Sequence, residues 1–124
     1  MTTKNDDIPS TVDFLEMARS LMEKENLAGG RVSDYAMSKR LGWSTSRICN
    51  YFNGRSTLDE KGCVDIAELI GWPAETVLAC VYLERAKKQK NDNVTRALER
   101  LCHRVAITVT PVFIGFLAGI ASPF

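Results

Sequence analysis

A single histidine and four widely separated cysteines, Cys49, Cys63, Cys80 and Cys102, leave this chain without a zinc-ligand spacing or a disulfide framework. Each cysteine falls in a helical pattern, where a free thiol behaves as a small apolar residue and suits a reducing cytoplasm. There is no paired-carboxylate or nucleophile–base pattern and no glycine-rich phosphate loop, so no enzymatic activity, cofactor or metal is expected. The stretch Met1 to Pro9 is polar and contains Asp6 and Asp7, which excludes a secretory signal peptide. No run alternates with period two. The expected fold class is all-α.

Net charge is also scarce, at +1 over 124 residues, so bulk charge announces no partner. Its distribution says more. Residues 1–30 carry −3, residues 31–61 +3, residues 62–83 −3 and residues 84–104 +4, while residues 105–124 have no ionisable side chain. A near-neutral protein with charges segregated in this way still presents phosphate with a basic face. The length allows one compact domain plus an appendage. The expected division is a mobile N-terminus over 1–9, a helical domain over 10–88, a basic helical linker over 89–104 and an apolar tail over 105–124.

Five helices are expected within the domain. Ser10 or Thr11 caps the first, Asp13 favours its first turn, and Phe14, Leu15, Met17, Ala18, Leu21 and Met22 form its apolar stripe until Ala28-Gly29-Gly30. Ser33 opens a short helix that Gly42 stops. Ser44 caps a third, from Thr45 to Asn53, that Gly54 stops. Thr57 with Glu60 has capping-box spacing and opens a fourth ending at Gly71. Pro73 then occupies a first-helical-residue position before a fifth helix running to about Lys88.

Residues 33–54 have the makings of a helix-turn-helix. Ser38 is small enough for the helices to cross there, and Gly42 tolerates the positive φ of the turn. Met37, Leu41, Ile48 and Tyr51 supply apolar anchors, with Trp43 in the turn. Left on the outer face of the third helix are Thr45, Ser46, Arg47 and Asn50, donors and acceptors suited to base edges in a major groove. Lys39, Arg40, Arg55 and Lys61 flank the pair as candidate phosphate contacts, which add affinity without sequence information.

The run Met37-Ser38-x-x-Leu41-Gly42-x-Ser44-x-x-x-Ile48 through to Gly54 resembles the helix-turn-helix of Cro/C1-type repressors, and the likeness extends over about residues 10–86. Leu83 to Lys87 and Ala97 to Leu101, with the apolar tail, look like small proteins of filamentous bacteriophages and related prophages. The resemblance implies a transcriptional regulator that binds double-stranded DNA, as a homodimer, in a bacterial cytoplasm. Two positions depart from the pattern. Asp34 stands where a glutamine is common, placing an anion near phosphate, and Ser38 replaces the usual alanine.

The tail, Val105 to Phe124, would rise about 30 Å as a helix, close to the thickness of a bilayer's hydrocarbon core. Arg96, Arg100 and Arg104 precede it, as expected for residues kept on the cytoplasmic side. Inner-membrane anchoring through 105–124 and burial in a soluble dimer are both compatible with this composition. So is a second functional class, a membrane-anchored helical adaptor that binds a protein and not DNA.

Overall fold

The computed structural model describes residues 8–26 and 29–117, with side chains described as far as Arg104. Six helices occur among the described residues: α1 Thr11–Glu25, α2 Asp34–Leu41, α3 Thr45–Phe52, α4 Glu60–Ile70, α5 Ala74–Lys88 and α6 Asp92–Leu117. No strand occurs among the described residues, and the fold is all-α.

Local chemistry explains most boundaries. Ser10 caps α1 in a reciprocal box: its hydroxyl accepts from the Asp13 N–H, and the Asp13 carboxylate accepts from the Ser10 N–H at 2.9 Å. Such boxes satisfy two N–H groups that a helix start leaves unpaired. Ser33 and Ser44 cap α2 and α3, accepting from the N–H groups of Ala36 and Arg47, each at 3.1 Å. Gly42 ends α2 with φ 74°, a left-handed conformation that costs a β-carbon-bearing residue energy and costs glycine none.

Four expected boundaries are corrected. Asp59, not Thr57, caps α4: its carboxylate accepts from the Gly62 N–H at 2.7 Å, while the Thr57 hydroxyl accepts from Arg85. Pro73 has ψ 136° and so precedes α5 as its cap residue, outside the helical turn. α1 stops at Glu25, before the glycines, with Asn26 in extended backbone as its cap. Ile8 and Pro9 pack on the body where a mobile terminus was expected; residues 1–7 lie outside the described residues.

Phe14, Leu15, Met37, Ile48, Leu58, Ile66, Val77, Val81 and Leu83 are almost fully enclosed and make one core spanning α1 to α5. Burying such side chains contributes about 1.5–3 kcal/mol each relative to exposure. Trp72 meets Phe14 edge-on at 5.5 Å, closing the space between α1 and the α4–α5 turn. A buried polar knot completes it. Thr11 donates both its N–H and its hydroxyl to Glu84, each at 2.8 Å, and the same hydroxyl accepts from the Leu58 N–H at 3.2 Å.

The segment expected as a linker is instead part of the body. Gln89, Lys90 and Asn91 form a tight turn with Lys90 at φ 58°, and α6 returns antiparallel along α5. Leu98 and Cys102 pack onto the core, because the two long helices bury a shared seam that neither could cover alone. Contact with the Cys102 thiol, together with burial, raises the pKa of Cys80. Among the described residues no helix is long and apolar enough to cross a membrane. α6 continues to Leu117, but the side chains beyond Arg104 and all of 118–124, on which the apolar-tail expectation falls, lie outside the described residues.

Candidate nucleic-acid interface

α2 and α3 meet where the sequence places a small residue. Ser38 is buried at the crossing, donates its hydroxyl to the Tyr35 carbonyl at 2.7 Å, and lies 3.4 Å from the Thr45 hydroxyl. Met37, Ile48, Tyr51 and Trp43 are buried beneath the pair, and Leu41 is partly so. Trp43 meets the Tyr51 ring edge-on at 5.6 Å and donates its indole N–H to Asp65 at 3.1 Å, which ties the turn to α4. With each helix only eight residues long, such ties are what hold α3 at a defined angle.

The expected base-contacting residues do not stay together. Thr45 and Ser46 are exposed and Asn50 is half-buried along the outward side of α3, where Cys49 and Asn53 join them. Arg47 leaves this group. Its guanidinium lies 4.2 Å from the Trp43 ring centre, donates to the Tyr51 hydroxyl at 2.9 Å and pairs with Asp59 at 3.1 Å, at the N-terminus of α4.

The expected phosphate contacts divide as well. Arg55 is exposed in the loop directly after α3, its N–H donating to the Asn50 carbonyl at 2.9 Å. Lys39 is exposed on α2 with its amine 5.3 Å from the Tyr35 ring. Arg40 sits elsewhere, at a shallow groove between α2 and α4 lined by Arg40, Leu41, Asp65, Glu68 and Leu69, and Lys61 is exposed on α4. Arg40 pairs with Glu25 at 3.1 Å, and Lys61 with Asp65 at 3.3 Å. Exposed pairs of this kind stabilise little, but they leave each cation beside an anion.

Nothing in the local sequence marks Lys88 as a neighbour of α3. It reaches from the end of α5 to donate to the Gly54 carbonyl at 3.3 Å, which sets a second cation beside Arg55 at the end of α3. A separation of 34 residues hid it; only the basic character of residues 84–90 was visible. Arg85 straps the same loop, donating to Thr57 at 2.9 Å and to the Leu58 carbonyl. Asp34, the anion that departs from the repressor pattern, is paired with Arg19 and accepts from the Cys49 thiol at 3.6 Å. Arg19 in turn lies over the Phe52 ring at 4.7 Å.

Cys49 is the exposed thiol; Cys63, Cys80 and Cys102 are buried. Burial pushes the Cys63 thiol up to about 12, which removes it from thiolate chemistry near neutrality. Among the described residues no cluster of histidine, cysteine or carboxylate side chains has the makings of a metal site. Neither a family model, a curated protein nor a solved structure matches this chain.

Proposed function

We propose that this protein is a sequence-specific DNA-binding regulator of the Cro/C1 helix-turn-helix type, in which α3 enters the major groove. One observation carries the reading. α2 and α3 cross at buried Ser38 around a left-handed Gly42, and the outward side of α3 is a row of short polar groups bordered at its end by Arg55 and Lys88. Neutral hydroxyls and amides on a helix face suit base edges, while flanking cations suit phosphates. A homodimer would set two α3 helices one turn of DNA apart, about 34 Å. In this setting Arg47 positions α3, and Arg40 and Lys61 drop out of the phosphate-contacting set.

The test is binding of the full chain, at stated salt, to intergenic DNA of its own genome and to random duplex. A preference for particular genomic sites supports the reading, and equal affinity for every duplex overturns it. Arg55→Ala and Lys88→Ala should weaken binding to all sequences alike, each lowering the salt-dependence slope by about one.

Tail anchoring belongs to the same proposal. α6 starts beside the Lys88 end of α5 and runs away from it, so about 20 Å of helix, residues 92–104, lies between the DNA-facing end and the apolar tail. A chain held by residues 105–124 would therefore keep α3 clear of a bilayer. Retention in membranes after carbonate washing supports this arrangement, and full release excludes it.

A further inference from the structure

The side chains of α3 divide by chemistry, and the division bears on which bases the helix can read. Outward are the hydroxyls of Thr45 and Ser46, the thiol of Cys49 and the amide of Asn50, with the amide of the cap residue Asn53 just past the end of the helix. None of these is a cation. The helix's single charged side chain, Arg47, is held against the domain by Trp43, Tyr51 and Asp59.

Space for that arrangement is built into α4. The same Asp59 oxygen that pairs with Arg47 also accepts the Gly62 N–H at 2.7 Å, so one carboxylate both caps α4 and holds α3. A β-carbon at position 62 would lie 2.8 Å from that oxygen and 3.1 Å from the Arg47 guanidinium. Glycine in a helix costs about 1 kcal/mol relative to alanine, and here its missing side chain leaves room for the ion pair.

Guanine is read in the major groove chiefly by an arginine or lysine reaching its O6 and N7, whereas asparagine matches N6 and N7 of adenine and a threonine methyl packs on that of thymine. Resting on the reading of α3 as the groove-entering helix, we infer that α3 recognises A·T pairs. Asn50 contacts an adenine, and Arg47 positions the helix without contacting a base. Arg55 and Lys88 lie past the end of α3, where they serve phosphates. Asp34, the acid that borders the outward side near Cys49, is neutralised by Arg19.

The experiment is selection of binding sites from a random duplex library by the full chain. It is followed by single-atom substitution in the selected site. Replacing one adenine by 7-deazaadenine should weaken binding about tenfold, in line with the loss of one bidentate contact, while 7-deazaguanine at any position under α3 changes it less than about twofold. Arg47→Met should select the same site. A guanine under α3 whose N7 is needed overturns the inference, as does a base preference that disappears in Arg47→Met. Those outcomes leave DNA binding intact. If no site is enriched over the starting library, the DNA-binding reading falls and this inference with it. The deaza-base result uses the unaltered chain, so it decides even where Arg47→Met fails to fold.

Discussion

The α2–α3 pair and the α5–α6 hairpin are both two helices joined by a short turn, yet they are held by different means. α5 is fifteen residues long and α6 twenty-six, and they meet along a seam where Cys80 of α5 contacts Cys102 of α6 and Leu98 packs on the core. α2 and α3 have eight residues each and rest on a few buried anchors supplemented by polar ties: serine caps, Trp43 to Asp65, Arg47 to Asp59, Arg19 to Asp34. A long seam is stabilised by area and tolerates the loss of any one polar group. Short helices present an open outward face, and their orientation then depends on individual side-chain contacts. A helix that must offer polar groups to a ligand is better served by the second arrangement.

The largest effects should fall on what the two regions share. Ile48→Ala in α3 and Leu83→Ala in α5 remove fully enclosed side chains from one core, and each should cost about 2–5 kcal/mol in urea unfolding. A loss below about 1 kcal/mol for Ile48→Ala would mean that α3 is not anchored by burial. Next comes a reversal of sign at Gly62. Glycine to alanine inside a helix ordinarily stabilises by about 1 kcal/mol. Here Gly62→Ala should destabilise by about 1–2 kcal/mol, as overpacked sites do, because its β-carbon meets Asp59. In an Asp59→Ala background the same change should be neutral or stabilising, and additive behaviour in that double-mutant cycle would break the account of the Arg47 tie.

Ser44→Ala removes the α3 cap and should cost about 1 kcal/mol, whereas Gln89→Ala at the end of α5, where no comparable side-chain cap operates, should change stability by less than about 0.5 kcal/mol. Thiol labelling sharpens the contrast with no loss of stability. In the native chain at pH 8 one of the four thiols, Cys49, should react rapidly. Cys63 stays protonated until the pH approaches about 12, and Cys80 and Cys102 are buried with it, so rapid labelling of two or more thiols would contradict the enclosure of these three side chains on α4, α5 and α6.

The serine caps, the stop at Gly42 and the anchor pairs Met37 with Leu41 and Ile48 with Tyr51 each follow from spacings of three or four residues, so they are legible along the chain. The start of α4 is ambiguous in the sequence because Thr57 with Glu60 and Asp59 with Gly62 are both acceptable local caps. Arg85, 28 residues away from Thr57, takes the threonine hydroxyl and leaves Asp59 to cap the helix. Residues 89–104 look like a linker because their charges dominate the composition. The seam that docks α6 uses only every third or fourth residue.

For the candidate interface, the sequence by itself determined that α3 exists, where it starts, and that Thr45, Ser46, Arg47 and Asn50 belong to it, since these depend on caps and helical periodicity. Only the tertiary structure decided which of those side chains stay outward. Arg47 is long enough to point either way, and what turns it inward is an aromatic pair and a carboxylate supplied by the turn, its own helix and α4. Lys88 reached the end of α3 by the same route, through a contact that exists only once α5 is packed. Short-range periodicity is encoded locally. The direction of a long charged side chain is set by partners brought from elsewhere in the chain.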